Sequence, residues 1–293
     1  MTISRGGAMI RSILLALAEA PYDASAKNCA FWLAQREGVS IHALVVIDIA
    51  AFEVPVLGTA DGLMPSVVTP PLKESQSLMN DLMTVARERL DQFAAQCAFR
   101  GIQSSTEIKT GIPGEVISQT GIAHDIVVVS RTGYNRVAND KETIDALVAP
   151  VIRSSARPVL VAGSEFRDVN DIQNILMAYD GSNHASRALR VAAELAARPG
   201  MNCTLINAAH SEDIGREILA PAEAYLSHHD ITPKKQVVVG SKPSAVICGL
   251  VASGGVDIVI MGAYGHRSIR EVLFGCTTER ILSQCPANVI LQS

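Results

Sequence analysis

The sequence predicts an α/β fold built as two tandem doubly wound parallel-sheet domains, and three observations lead there. The first is an internal repeat. Ile13–Leu17 matches Ile175–Tyr179 at an offset of 162 residues, Asp125–Ser130 matches Asp257–Gly262 at 132, and Pro158–Val161 matches Asn288–Leu291 at 130. The second is the alternation of short β-branched apolar runs with longer segments of helical periodicity, the pattern of parallel strands buried on both faces and joined by right-handed crossovers. The third is composition: 293 residues, 48% hydrophobic, 18% charged and 4% aromatic, enough for two cores of Ala, Val, Ile and Leu.

In the second copy the elements follow in strict order. Ile175–Tyr179 reads as a strand, and the helix after it carries Ala185, Ala188, Leu189, Ala192, Leu195 and Ala196, with Ser182 or Asn183 as N-cap and Gly200 as stop. Cys203–Asn207, Gln236–Val239, Ile258–Met261 and Asn288–Leu291 read as the remaining strands. Ile214–His228, Ala245–Ala252 and Thr277–Gln284 read as the helices between them. The first copy opens the same way, with Ala26, Cys29, Ala30 and Leu33 on a helix ended by Gly38. It then departs through a Pro- and Gly-bearing loop over 52–72, a surface flap or a lid, before a long helix from Lys73 to Ala98. The polar stretch 163–171 supplies a boundary, giving domains at 1–165 and 170–293.

Several classes of function are disfavoured by composition. With 25 Lys and Arg against 29 Asp and Glu the net charge is −4, so no basic field points to nucleic acid. No run approaches 18 apolar residues, and the signal-like stretch after Arg11 is short and broken by Glu19, so no membrane span or leader is expected. The six cysteines stand singly with no C-x-x-C pair, which fits reduced core thiols and a cytoplasmic location.

In a doubly wound sheet, ligands bind beyond the carboxyl ends of the strands. After Ile258–Met261 the chain reads Gly262-Ala-Tyr-Gly265, then nine residues, then Gly275-Cys-Thr-Thr278 opening a helix. Glycines let backbone approach a phosphate, and the N–H groups of a helix start bind its charge. At the end of the first strand of the same copy stands Asp180-Gly-Ser182. Its carboxylate could accept hydrogen bonds from a nucleoside or hold magnesium, or the segment could simply cap the next helix.

Gly262-x2-Gly265-x9-Gly275 beneath a strand ending in Asp180-Gly-Ser resembles the nucleotide-binding members of the universal stress protein family. The likeness spans nearly the whole chain as two tandem units. It implies a Rossmann-like, adenine nucleotide alpha hydrolase-like fold and a stress-response regulator or sensor that binds ATP, or else ADP or AMP, with magnesium as a companion of the phosphates. By that resemblance Asp180 contacts the nucleoside, the backbone at Ala208 reads the base, and Met261 flanks sugar or base. Gly262 and Gly265 admit the phosphates, and Gly275, Cys276 and Thr277 hold their tail. Cys276 departs from the Ser or Thr usual in the family.

Copy one loses this pattern: Ala18 stands opposite Asp180, Ser130 opposite Gly262 and Asp145 opposite Gly275, with Gly133 alone retained. One nucleotide per chain is therefore expected, in the second copy. Ser253-Gly-Gly-Val-Asp257 imitates a pyrophosphatase loop but precedes its strand, and Gly240–Ser244 lacks P-loop spacing, so a helix start is expected there. No Walker lysine or general base accompanies the glycines, leaving slow ATP hydrolysis or a nucleotide-free interaction scaffold as alternatives. The last strand of each copy is apolar and would lie at a sheet edge, so the two are expected to pair within the chain; a homodimer is a further option.

Overall fold

Residues 10–48, 72–132, 147–163, 172–264 and 276–293 are described in the computed structural model of the chain. The first half runs β1 (Ser12–Ala16), α1 (Ala24–Glu37), β2 (Ser40–Asp48), α2 (Leu72–Phe99), β3 (Ser104–Gly111), α3 (Pro113–Gly121), β4 (Ile126–Ser130), α4 (Val148–Ser154) and β5 (Val159–Ala162). The second runs β6 (Asn174–Ala178), α5 (Asn183–Ala196), β7 (Asn202–Ala209), α6 (Glu212–Ser227), β8 (Lys234–Val239), α7 (Pro243–Ala252), β9 (Ile258–Gly262), α8 (Cys276–Gln284) and β10 (Asn288–Gln292). The expected loop over 52–72 loses Leu72 to α2, and the rest of it lies outside the described residues, as does most of the boundary stretch.

The ten strands among the described residues join one sheet in the order β3-β2-β1-β4-β5-β10-β9-β6-β7-β8. Every neighbouring pair is parallel except β5 and β10, which are antiparallel. The sequence offsets are the register of this sheet. Ile13 pairs with Ile126 in one half and Ile175 with Ile258 in the other, reproducing 162 and 132. Val127 pairs with Val159 and Val259 with Val289, reproducing 132 and 130. Between the halves Leu160 pairs with Ile290, residues equivalent at offset 130, so a local two-fold axis runs through that pair. The apolar edges of the two copies thus cover each other, as their exposure would demand.

Strand alternation divides the core between the two faces of the sheet. Ile13 and Leu15 belong to the buried cluster that includes residues of α1, α2, α5 and α6, whereas Leu14 and Ala16 belong to the one that includes residues of α3, α4, α7 and α8. Where the copies meet, the buried Asn288 Oδ1 accepts hydrogen bonds from Gly163 N at 2.9 Å and Cys29 Sγ at 3.2 Å. A Cβ on Gly163 would stand 2.0 Å from the Pro286 carbonyl oxygen, so glycine is what lets the end of β5 cross this backbone. The fully buried Glu37 carboxylate accepts from Arg198 Nε at 3.1 Å and from Arg198 Nη2, and Arg36 donates to Pro199 O at 3.0 Å.

Candidate functional site

The carboxyl ends of β6, β7 and β9, together with α7 and α8, enclose a cleft of about 640 Å³ including its open mouth. Ile206, Val238, Val246, Ile247 and Met261 give it apolar walls, and Asp180 is the one carboxylate among its described lining residues. Asp180, Ala208, Met261, Gly262 and Thr277, remote from one another in sequence, all line it. Cys276 opens α8, which puts that helix start beside the cleft. Gly265 and Gly275 lie outside the described residues, as do Gly133 and Asp145 of the first copy.

Asp180 and the helix cap prove to be separate devices. Ser182 Oγ accepts from Ala185 N at 3.1 Å and caps α5, which settles the choice between Ser182 and Asn183. Asp180 Oδ1 accepts from Ser182 N at 2.9 Å, an Asx turn that fixes the carboxylate at the strand end, with Gly181 at φ 82° completing the bend. Gly262 has a packing reason of its own. A Cβ there would come within 2.8 Å of Ala185 N and His184 Cβ, so its lack of a side chain lets the end of β9 lie against the first turn of α5. The chain leaves β9 through Ala263 and Tyr264 and returns at α8, where the buried Thr278 Oγ1 donates to Ala263 O at 3.0 Å. Departure and return of the glycine-bearing segment are therefore tied together.

Other cleft residues carry no motif. Pro243, at the first turn of α7, comes from the segment with the P-loop look, which is the helix start expected there. Asn207 is buried, donates from Nδ2 to Tyr179 O at 2.7 Å and extends the β6–β7 connection past the last ladder bond. Its Oδ1 is buried without a hydrogen-bond partner. A slot with apolar walls, one fixed carboxylate and a helix N-terminus suits a ligand with a flat ring, a hydroxylated middle and an anionic end.

The equivalent edge of copy one is built differently. The Arg89 guanidinium of α2 donates to Ala18 O, at the position matching Asp180. Arg131, one residue beyond Ser130, crosses to the other copy and donates to Cys285 O at 2.5 Å and Ala287 O at 3.0 Å. In copy two that position is Ala263.

The model of the universal stress protein family matches residues 171–291. A universal stress protein of Synechocystis is 24% identical over 298 residues, spanning 96% of this chain and 99% of its own length. Residues 171–291 thus match the universal stress protein family, and the chain along its full length is similar to a member of that family. The tandem form also has a structural counterpart: a universal stress protein from Archaeoglobus fulgidus DSM 4304 superposes with a TM-score of 0.74 at 18% identity, covering 96% of this chain and 98% of that one. A protein from Pseudomonas aeruginosa UCBPP-PA14 described as a putative universal stress protein gives 0.65 at 16% identity, covering 98% and 95%. Both likenesses concern the fold. Among the described residues no helix is long and apolar enough to cross a membrane, and no cluster of His, Cys, Asp and Glu could hold a metal ion.

Proposed function

We propose that this protein is an adenine-nucleotide-binding regulator of the universal stress protein family, with one site per chain, the cleft of the second copy. The observation that carries the reading is the convergence of Asp180, Ala208, Met261, Gly262 and Thr277 on one cleft at the carboxyl edge, where α/β sheets bind ligands. In this reading the base lies between Met261 and Ile247 beside the Ala208 backbone, and Asp180 accepts from the ribose hydroxyls. The phosphates extend toward the start of α8. Magnesium, if it accompanies them, is held by the nucleotide rather than by a protein cage.

The segment after Gly262 carries Arg267 and Arg270 but no Walker-type lysine and no evident base in its sequence, a pattern that suits a state-reporting role rather than rapid turnover. Bound nucleotide would engage the start of α8 and so change the surface offered to a protein partner. Calorimetry with ATP, ADP and AMP on the nucleotide-stripped chain tests the reading. One site per chain is expected, with Gly275→Asp lowering affinity about 100-fold or more by setting a carboxylate against phosphate. Two equivalent sites, or unchanged binding in that variant, overturn it. Turnover of about one per second or faster, lost in Gly265→Val, would replace the switch with an ATPase.

A further inference from the structure

A second recess, sharing no lining residue with the cleft, lies where the end of copy two meets the starts of β4 and β5 in copy one. It encloses about 730 Å³ including its open mouth. Copy one contributes Asp125 and Arg157, and copy two contributes Arg187 and Arg190 from α5 and Gln292 from β10. Arg157 donates from Nη2 to Ile122 O at 3.0 Å, and its buried Nε–H has no acceptor. Arg187 donates from Nη1 to Ser293 O at 3.1 Å, an oxygen that also accepts from the buried Gln292 Nε2 at 3.1 Å. Arg190 has no hydrogen-bond or ionic partner among the described residues. Asp125, the one carboxylate of the described lining, accepts from Arg11 N at 2.8 Å and pairs with none of the three arginines.

We propose that this recess is a binding site for a small phosphate-bearing anion, separate from the nucleotide cleft. A guanidinium is a planar fork of five N–H donors, and Arg157 and Arg187 each commit one nitrogen to a carbonyl. The donors left over match the oxygens of a phosphate, which accept such forks in pairs. Pro158 and Val191 give the recess apolar wall, where the attraction is screened less than in open water. In a chain of net charge −4, three positive side chains gathered against one carboxylate make a local excess that an anion neutralises. The repeat supplies a control. Helices α1 and α5, both of 14 residues, correspond at an offset of 159, which sets Asn28 and Phe31 opposite Arg187 and Arg190. The two-fold related place keeps Asp257 opposite Asp125 but has Ala287 opposite Arg157. Neither the helix nor the junction between copies therefore requires arginine at these positions.

The test titrates pyrophosphate calorimetrically into the full-length chain, stripped of nucleotide and phosphate, at low salt. A saturable site is expected. Arg190→Gln, which has no bond of its own to lose, should weaken it about 10-fold, the effect of one charge-assisted hydrogen bond. Arg187→Gln combined with Arg190→Gln should weaken it further. Arg87→Gln combined with Lys234→Gln removes the same charge from exposed positions elsewhere and should change affinity by less than about twofold. Adenosine, which carries no phosphate, should not compete. Absence of a saturable site, full affinity in the Arg187 and Arg190 double variant, equal weakening in the Arg87 and Lys234 control, or displacement by adenosine would overturn the proposal. A cleft that fails to bind ATP would leave all of these readouts unchanged.

Discussion

Copy one and copy two share a sheet register residue for residue, yet they use the carboxyl edge of that sheet for opposite purposes. In copy two it is an open cleft with Asp180 fixed at its rim. In copy one an arginine of α2 sits on the Ala18 carbonyl, and the turn after β4 sends Arg131 into the other copy. The difference teaches that conserving a backbone ladder constrains only the residues that face the two cores. The turns beyond the strand ends contribute little to those cores, so one set can hold a ligand while the other holds a neighbour.

The largest stability effect expected on this comparison is at the junction. Gly163→Ala would drive a Cβ into the Pro286 carbonyl, which neither backbone can yield without loosening the β5–β10 pairing. It should cost about 3 kcal/mol in urea unfolding, at the upper end of overpacking penalties. The equivalent position in copy two is Ser293, whose Oγ donates to Ser155 O of copy one at 2.8 Å. Next comes Gly262→Ala, expected to cost about 2 kcal/mol because the clash is with the first turn of α5. Ser130→Ala, at the matching place in copy one, should cost about 1 kcal/mol or less.

Arg89→Ala sharpens the contrast in another way. Losing the bond to Ala18 O should cost about 1 kcal/mol, yet calorimetry should still find one nucleotide per chain. A second site appearing in that variant would mean that Arg89 alone separates the two edges.

The smallest effect is a change of pH slope. His124 is stacked on His42 with ring centroids 5.2 Å apart, and its Nδ1 shares a hydrogen bond with Ser12 Oγ at 2.5 Å. Copy two has Val256 at the equivalent place. Burial first, then the charges of His42 and Lys109, hold His124 below its usual 6.5, against the opposing pull of Asp125 and Glu107. The unfolded chain therefore binds this proton more readily, and the contribution, present above about pH 6.5, is lost as pH falls through the depressed value. Thermal midpoints should drop on acidification below that point, and His124→Gln should flatten the drop.

Much of this architecture was legible because parallel strands buried on both faces leave continuous apolar runs. Ile126–Ser130 and Ile258–Met261 are such runs, and the repeat they reveal is the register itself. The polar Ser104–Gly111 carries no such signal because it is an edge strand with one neighbour, β2, and exposed positions along its length. In the site, Asp180 and the glycines announce themselves through spacing, whereas Pro243, Val246 and Ile247 look like any apolar helix face until α7 is seen against the cleft. Nothing in the local sequence marks Arg131 either. Its partners lie more than 150 residues away and are backbone carbonyls, which carry no residue identity.

The antiparallel pairing of β5 with β10 about the Leu160–Ile290 pair is an isologous contact of the kind two identical subunits would make. In an assembly of identical chains, each substitution appears on both sides of the axis, and no residue can act on a partner without being acted on in return. Joining the two units covalently removes that reciprocity. Arg131 can reach across the axis while Ala263, its counterpart, does not reach back. The fused chain thus keeps the stability of a symmetric contact while each half is free to evolve under its own selection.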